Sequence, residues 1–140
     1  MDMLSRVADS LYWMSRYLER AEHIARVLDV YLSEQLEEYT GEENRRWRIV
    51  VESIGLPVPE TLVESKLAYW LTFDMSNQSS IVACVMSARD NARQVREQIS
   101  SEMWECLNTA WFELPVHRTT AERLGPHHFL LRIRERAALF

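Results

Sequence analysis

Glycine and proline are scarce in this sequence, and cysteine is scarcer still. The 140 residues include 3 Gly, 4 Pro and 2 Cys, whereas Gly and Pro together usually make up about 12% of a protein. No segment matches the GxGxxG or GxxxxGK[ST] pattern, in which glycines let the backbone approach a phosphate. The common nucleotide-binding loops are therefore excluded.

The two cysteines, Cys84 and Cys106, fall within one predicted helix, 22 positions apart. A helix rise of about 1.5 Å per residue separates them by about 33 Å, which is too far for a disulfide. No stretch approaches the roughly 18 uncharged apolar residues of a membrane span. The first residues carry charges every few positions, unlike a signal peptide. We therefore expect a single compact domain in the cytoplasm, without attachment to a membrane.

Lysine is nearly absent from the sequence. Of the 16 basic residues, 15 are Arg and one is Lys66. Against 21 acidic residues they leave a net charge of −5. This balance argues against a nucleic-acid binder, since phosphate recognition requires a basic surface. The planar guanidinium group of arginine can form two parallel hydrogen bonds with a carboxylate or a phosphate. Its excess over lysine favours specific pairing, and a high-GC genome is the alternative explanation.

The first long helix is predicted from about residue 4 to residue 37. Its apolar positions alternate in spacings of three and four, the a/d rhythm of a helix that buries one seam. Aromatic residues widen the apolar arc to one side, which suits a helix inside a bundle. The seam consists of Leu4, Val7, Leu11, Met14, Leu18, Ala21, Ala25, Leu28 and Leu32.

A second long helix is predicted over about residues 78–113, with Asn77 as its N-cap and Pro115 after its end. Its seam consists of Ile81, Val85, Ala88, Ala92, Val95, Ile99, Cys106 and Ala110.

Shorter helices are predicted over residues 43–54, closed by Gly55, and over residues 59–73. A last amphipathic segment is predicted over residues 127–139. No segment has the pattern of a strand. The sequence therefore predicts an all-α fold, an antiparallel or mixed bundle of two long helices and shorter connecting helices.

Arginines gather on the flanks of both long helices, where residues three and four apart are neighbours. One interpretation is an anion-binding face. The other is a solvated surface with ordinary salt bridges, such as one from Glu22 to Arg26. The candidate residues are Arg89, Arg93 and Arg96 on the second helix, and Arg16, Arg20 and His23 on the outer side of the first.

The two long helices match each other when 67 is added to the numbering of the first. Glu22 then corresponds to Arg89, and Asp29 corresponds to Arg96. If the helices pack in parallel, these charges are expected to pair across the interface, as e and g positions do. A chance match is the alternative, because any two heptad seams can be brought into register.

Glu102 occupies a position at which the second seam requires another apolar residue. A carboxylate at the edge of a core must be paired, hydrogen-bonded or protonated, so we expect a structural arginine partner or, alternatively, a catalytic acid. The pair Glu19 and His23 supplies too few ligands for a metal site. The sequence contains no recognisable catalytic motif, and it indicates no metal and no cofactor.

Two segments resemble the alpha-E domain, a bacterial helical domain named for its Glu-Arg motif. They are MLSRVADSLYWMSRYLERAEHIARVLDV, which includes Glu19-Arg20-Ala21-Glu22, and SARDNARQVREQISSEMWECLN. Gln78 stands where the family typically has Pro, and Asp90 where it usually has Glu. The family domain has a second half that also carries a Glu-Arg motif. The resemblance therefore implies that residues 1–140 form the N-terminal half, either as a fragment or as a naturally short form.

The resemblance also implies association with ATP-grasp proteins and transglutaminase-like peptidases, in a system that forms or modifies peptide bonds. Our leading hypothesis is an accessory module that binds the ATP-grasp partner or its peptide substrate. The alternatives are an enzyme that uses Glu19 or Glu102 as an acid or base beside an arginine, and a structural bundle that forms homo-oligomers. The motif positions and candidate binding residues are Glu19, Arg20, Glu22, Arg26, Arg89, Arg93, Arg96 and Glu102.

Overall fold

The computed structural model describes residues 3–37, 46–53, 55–63 and 66–124, together with their side chains except those of residues 32–37, 46, 47, 50 and 114–124. Within these ranges the chain is helical and contains no strand, as predicted. The predicted segment 127–139 lies outside the described residues. The helices are α1 (Met3–Glu37), α2 (Arg46–Ser53), α3 (Leu67–Thr72), α4 (Ile81–Gln94) and α5 (Ser101–Leu124).

The predicted first helix is confirmed as α1, and the middle of its seam is the centre of the core. Ala25 and Leu28 are completely buried, and Met14, Leu18 and Ala21 are at most 8% exposed. Leu4, in contrast, is 78% exposed. The heptad rhythm therefore identifies the direction of the buried face correctly but does not show where along the helix the burial begins.

The predicted helix over residues 78–113 is wrong as a single element, because α4 ends at Gln94 and α5 begins at Ser101. In the connection, the Val95 N–H donates to the Ala92 carbonyl and the Gln98 N–H to the Val95 carbonyl, bonds that span three residues rather than four. Val95 and Ile99 are nevertheless buried. Because the residues before and after the break both pack on α1, the apolar spacing continues across the break. The sequence pattern therefore gives no sign that the helix ends there.

Both ends predicted for this helix also differ from the structure. Ser80, not Asn77, is the N-cap of α4, and its Oγ accepts the Ala83 N–H at 3.1 Å. Asn77 lies in the preceding turn, where its amide donates to the Trp70 carbonyl. At the other end, α5 continues through Pro115 to Leu124. A proline disfavours helical backbone angles at the residue before it but does not forbid them.

Residues 55–63, between α2 and α3, are irregular, so the predicted helix over residues 59–73 is wrong over residues 59–63 and confirmed only as α3. Gly55 follows α2 with φ +84°, a left-handed conformation that favours glycine. Arg48 of α2 organises the segment that follows Gly55, because the Arg48 Nη2 atom lies within 3.1 Å of three carbonyl oxygens of that segment. These acceptors belong to Pro59, Glu60 and Leu62.

Helices α1 and α4 pack in antiparallel directions. The Ser10 hydroxyl near the start of α1 contacts Gln94 at the end of α4, whereas Leu28 clusters with Ile81 at its beginning. Helix α5 runs back along α4 in turn, since Arg89 meets Asn108 and the later Arg96 meets Trp104. The predicted all-α bundle, antiparallel or mixed, is confirmed, and α1, α4 and α5 pack in antiparallel directions. The clusters between α1 and α4 include buried small residues: Ala21, Ala25, Ala88 and Ala92.

Candidate functional site

An open cleft of about 510 Å³ lies along the outer face of α1. At about 100° per residue, its lining positions point away from the buried seam of the same helix. Four of the predicted site residues come together here, and two further side chains that the sequence placed on the outer side join them. The described lining residues are Arg16, Glu19, Arg20, Glu22, His23 and Arg26.

Two ion pairs connect most of the charges in this cleft. Arg16 Nη1 lies 3.0 Å from Glu19 Oε2, and Arg26 Nη2 lies 2.6 Å from Glu22 Oε1. The predicted bridge between Glu22 and Arg26 is therefore confirmed. The guanidinium side chains are more than half exposed, and exposed pairs of this kind contribute about 0–1 kcal/mol to stability. They arrange the cleft rather than hold the helix in place.

Arg20 lies between these pairs and has a different environment. Its guanidinium carbon is 5.5 Å from the centroid of the Tyr17 ring, and the residue is half-buried. Burial raises the pKa of the nearby Cys84 thiol to about 11, and the positive charge of Arg20 opposes this rise. No acidic side chain of the described residues pairs with Arg20. An aromatic ring therefore orients the guanidinium, and none of the described carboxylates neutralises it.

Arg89, Arg93 and Arg96 do not reach this cleft. Arg89 Nε donates to Asn108 Oδ1 at 2.7 Å, Arg96 lies over the Trp104 ring, and Arg93 is exposed in the last turn of α4. The predicted pairs of Glu22 with Arg89 and Asp29 with Arg96 are wrong. Antiparallel packing places Asp29 near the start of α4 and Arg96 beyond its end.

The predicted position of Glu102 at the edge of the core is also wrong. It lies exposed in the first turn of α5, where a negative charge is favourable beside the unpaired N–H groups of the helix terminus. The expectation of a carboxylate at the core edge assumed that the seam runs through an unbroken helix. Because the chain turns before Ser101, Glu102 faces solvent and lies far along the chain from the α1 cleft.

Sequence reasoning missed the aromatic partners of the arginines. The helical spacing of the tryptophans and tyrosines assigns them to the core, and Tyr17 in particular to the apolar arc of α1, with no contact to arginine predicted for Tyr17, Trp104 or Trp111. In α5, Trp104, Asn108 and Trp111 are spaced at i, i+4 and i+7, which places them on one side of a helix. This spacing, together with two arginines on α4 and one in the turn after it, is the signal that was available.

The described residues contain no group of three or more His, Cys, Asp or Glu side chains that could hold a metal ion. Glu19 and His23 share the cleft, but a metal site needs further ligands. Cys84 and Cys106 are free, and they lie on different helices, so the argument that placed them on one helix was wrong. None of the described helices has the length and apolar character needed to cross a bilayer.

These features define an all-α domain with a charged cleft on the outer face of α1. Residues 3–140 match the model of the Alpha-E family, described as a predicted alpha-helical domain with a conserved ER motif. The chain belongs to this family. Comparisons with curated proteins and with solved structures found no match. In α1 the Glu-Arg dipeptide is Glu19-Arg20, and both side chains line the cleft.

Proposed function

We propose that this Alpha-E chain is a cytoplasmic accessory module that binds an anionic group of a partner protein, or of that partner's peptide substrate, in the α1 cleft. The partner that the resemblance suggests is an ATP-grasp protein of a peptide-ligating or peptide-modifying system. One observation carries the proposal: Arg20 is oriented by Tyr17 and has no acidic partner among the described residues.

The charges of the cleft support an anion as the ligand. The described lining residues include three arginines and two glutamates, so with His23 neutral these side chains carry one net positive charge. The two ion pairs account for Arg16 and Arg26, so the excess charge resides on Arg20. Its planar fork can bind a carboxylate or phosphate through two parallel hydrogen bonds, and the His23 imidazole can add a donor or an acceptor.

The arrangement favours binding over the alternative of catalysis by Glu19 and Glu102. Glu19 forms its ion pair at the surface, with two thirds of its side chain exposed. Glu102 lies exposed on α5 and does not line the cleft. Acid–base catalysis requires a carboxyl group within hydrogen-bonding reach of the reacting atom, and these two side chains do not converge on one.

The test is calorimetric titration of the purified chain with an ATP-grasp protein of such a peptide-ligating or peptide-modifying system. Arg20→Glu reverses the available charge, and we expect it to weaken binding at least about tenfold. Arg6→Glu is the control for the charge reversal, because Arg6 is likewise an arginine of α1 but does not line the cleft. A titration with a transglutaminase-like peptidase compares the two suggested partners.

Equal loss of binding in both variants would mean that net charge, and not the cleft, determines the affinity. Failure of the unmodified chain to bind either partner would contradict the proposed association.

Self-association is a second candidate function, supported by the beginning of α1. Met3 and Leu4 are each 78% exposed, although Leu4 belongs to the seam that is buried further along the helix. Exposed apolar residues on one seam favour contact with a second helix. Light scattering on the purified chain measures its mass in solution. A dimer that Leu4→Glu converts to a monomer supports this candidate, and a strict monomer removes it.

A further inference from the structure

A second basic surface lies on α4 and α5, apart from the α1 cleft. Arg89 on α4 and Arg96 in the turn after it contact aromatic and amide side chains of α5, and Arg93 lies exposed between them in the sequence. We call this surface the arginine–aromatic face. It consists of Arg89, Arg93, Arg96, Trp104, Asn108, Trp111 and Phe112.

Two of the three guanidinium groups on this face are held in position by α5. Arg89 donates to Asn108 at 2.7 Å, and its guanidinium carbon is 5.9 Å from the Trp111 centroid and 5.6 Å from that of Phe112. Arg96 lies 5.6 Å from the Trp104 centroid. A side chain that is already ordered loses less conformational entropy when it binds a ligand.

The charges on this face are not neutralised within the described part of the chain. None of the three arginines forms an ion pair with a described acidic residue. Arg93 is exposed and follows Arg89 by four positions, which corresponds to a rise of about 6 Å along α4. The three arginines therefore form a short row along the chain, in which Arg89 and Arg93 are one helical turn apart on α4 and Arg96 follows in the turn after it.

An exposed aromatic residue borders this row. Phe112 is 67% exposed, and one of its ring faces lies toward Arg89. Protein–protein interfaces typically combine an apolar anchor with charged residues around it. Asp90, Glu97 and Glu105 are exposed on the same helices or the turn between them, and these carboxylates would repel the continuous phosphate backbone of a nucleic acid.

We propose that the arginine–aromatic face docks an acidic segment of a partner protein, whose carboxylates bind Arg89, Arg93 and Arg96 and whose apolar side chain covers Phe112. A short row of three cations matches carboxylates one helical turn apart. The nearby acidic residues suit basic positions on the partner, and a polyanion lacks such positions. This docking surface is independent of the α1 cleft, so it stands whether or not that cleft binds an anion.

The test uses a fluorescein-labelled peptide of about 15 residues, long enough to form a helix, with glutamates at helical spacing and one leucine anchor. Fluorescence anisotropy measures its binding to the whole chain. We expect a peptide with glutamine in place of every glutamate to bind at least about tenfold more weakly. Affinity for the acidic peptide is expected to fall as salt rises from about 50 mM to about 200 mM.

Two charge reversals locate the binding site. Arg93→Glu is expected to weaken binding about tenfold or more without affecting folding, because Arg93 is exposed and has no described partner. Arg6→Glu on α1 is the matched control and is expected to leave the affinity unchanged. A peptide with lysine at the position facing residue 93 is expected to bind Arg93→Glu more tightly than the unmodified chain.

Three results would overturn the proposal. The first is equal affinity of the Arg93→Glu and unmodified chains for the acidic peptide. The second is equal weakening by Arg6→Glu, which would indicate a general charge effect. The third is tighter binding of a single-stranded oligonucleotide of the same charge, weakened by Arg93→Glu, which would assign the face to nucleic acid.

Discussion

The inward and outward faces of α1 differ in what their side chains contact and in how much free energy those contacts contribute. Inward residues such as Ala25 and Leu28 are completely buried against other helices. Outward residues such as Arg16 and Arg26 contact mainly acidic neighbours on the same helix. Buried apolar side chains contribute about 1.5–3 kcal/mol each, and exposed ion pairs about 0–1 kcal/mol.

The two faces of α1 therefore contribute unequally to folding. The inward face determines how α1 packs against α4, and its small residues allow the two helices to approach closely. The outward face is free to arrange charges for a ligand, because little stability depends on it. Substitutions on the two faces should therefore affect different measurements.

The largest effect is expected from Leu28→Ala on the inward face. Because Leu28 is completely buried, its truncation leaves a cavity and should lower the free energy of unfolding by about 2–5 kcal/mol. Leu4→Ala is the matched control, since it makes the same change on the same seam at a residue that is 78% exposed. Urea unfolding measures both. Similar losses of unfolding free energy in Leu28→Ala and Leu4→Ala would show that burial on the inward face does not determine the stability of the fold.

A smaller effect concerns Cys84, which is buried in the core near Arg20. Burial raises the pKa of its thiol from 9.0 to about 11, opposed by the charge of Arg20. Between about pH 9 and about pH 11 the unfolded chain has lost this proton and the folded chain retains it. The free energy of unfolding therefore falls as the pH rises, by about 2–3 kcal/mol across the window.

The contribution of Cys84 is isolated by comparing urea unfolding at both ends of this pH window in two variants. Cys84→Ala should lose less stability than the unmodified chain as the pH rises, because the buried thiol is gone. Cys106→Ala retains Cys84 and should keep the full loss. If the pH dependence is identical in all three proteins, the thiol does not ionise as its burial requires.

Ser80→Ala tests the beginning of α4, the helix against which the inward face packs. The Ser80 hydroxyl accepts the Ala83 N–H, and loss of an N-cap costs about 1 kcal/mol. Ser101→Ala is the control, because Ser101 is an exposed serine at the start of α5 and the preceding Ser100 Oγ accepts the Met103 N–H. Thermal unfolding should show the greater loss for Ser80→Ala, and the reverse order would contradict the capping assignment.

The sequence predicted the inward face well because burial of a helix leaves a repeated pattern. The predicted seam positions are buried in the core: Met14, Leu18, Ala21, Ala25 and Leu28. Arg16, Arg20 and His23 lie on the outer side, as predicted. The break after Gln94 could not be predicted, since Val95 and Ile99 continue the seam across it. The same break explains the error at Glu102, whose exposure depends on where α5 begins.

Contacts that depend on tertiary structure were also beyond the sequence. Arg48 binds three carbonyl groups of the segment after Gly55, and hydrogen bonds to backbone oxygens leave no pattern of residue types. The placement of Arg89 on Trp111 depends on the return of α5 along α4. Identifying such a contact requires the direction of packing as well as the spacing within each helix.

Urea unfolding of a triple variant, Arg16→Ala, His23→Ala and Arg26→Ala, tests the central claim most directly. These three side chains line the cleft and are exposed. If the outward face serves recognition and not folding, the free energy of unfolding will stay within about 1 kcal/mol of the unmodified chain. A loss comparable to that of Leu28→Ala would contradict the account, because it would show that the outward face also holds the fold together.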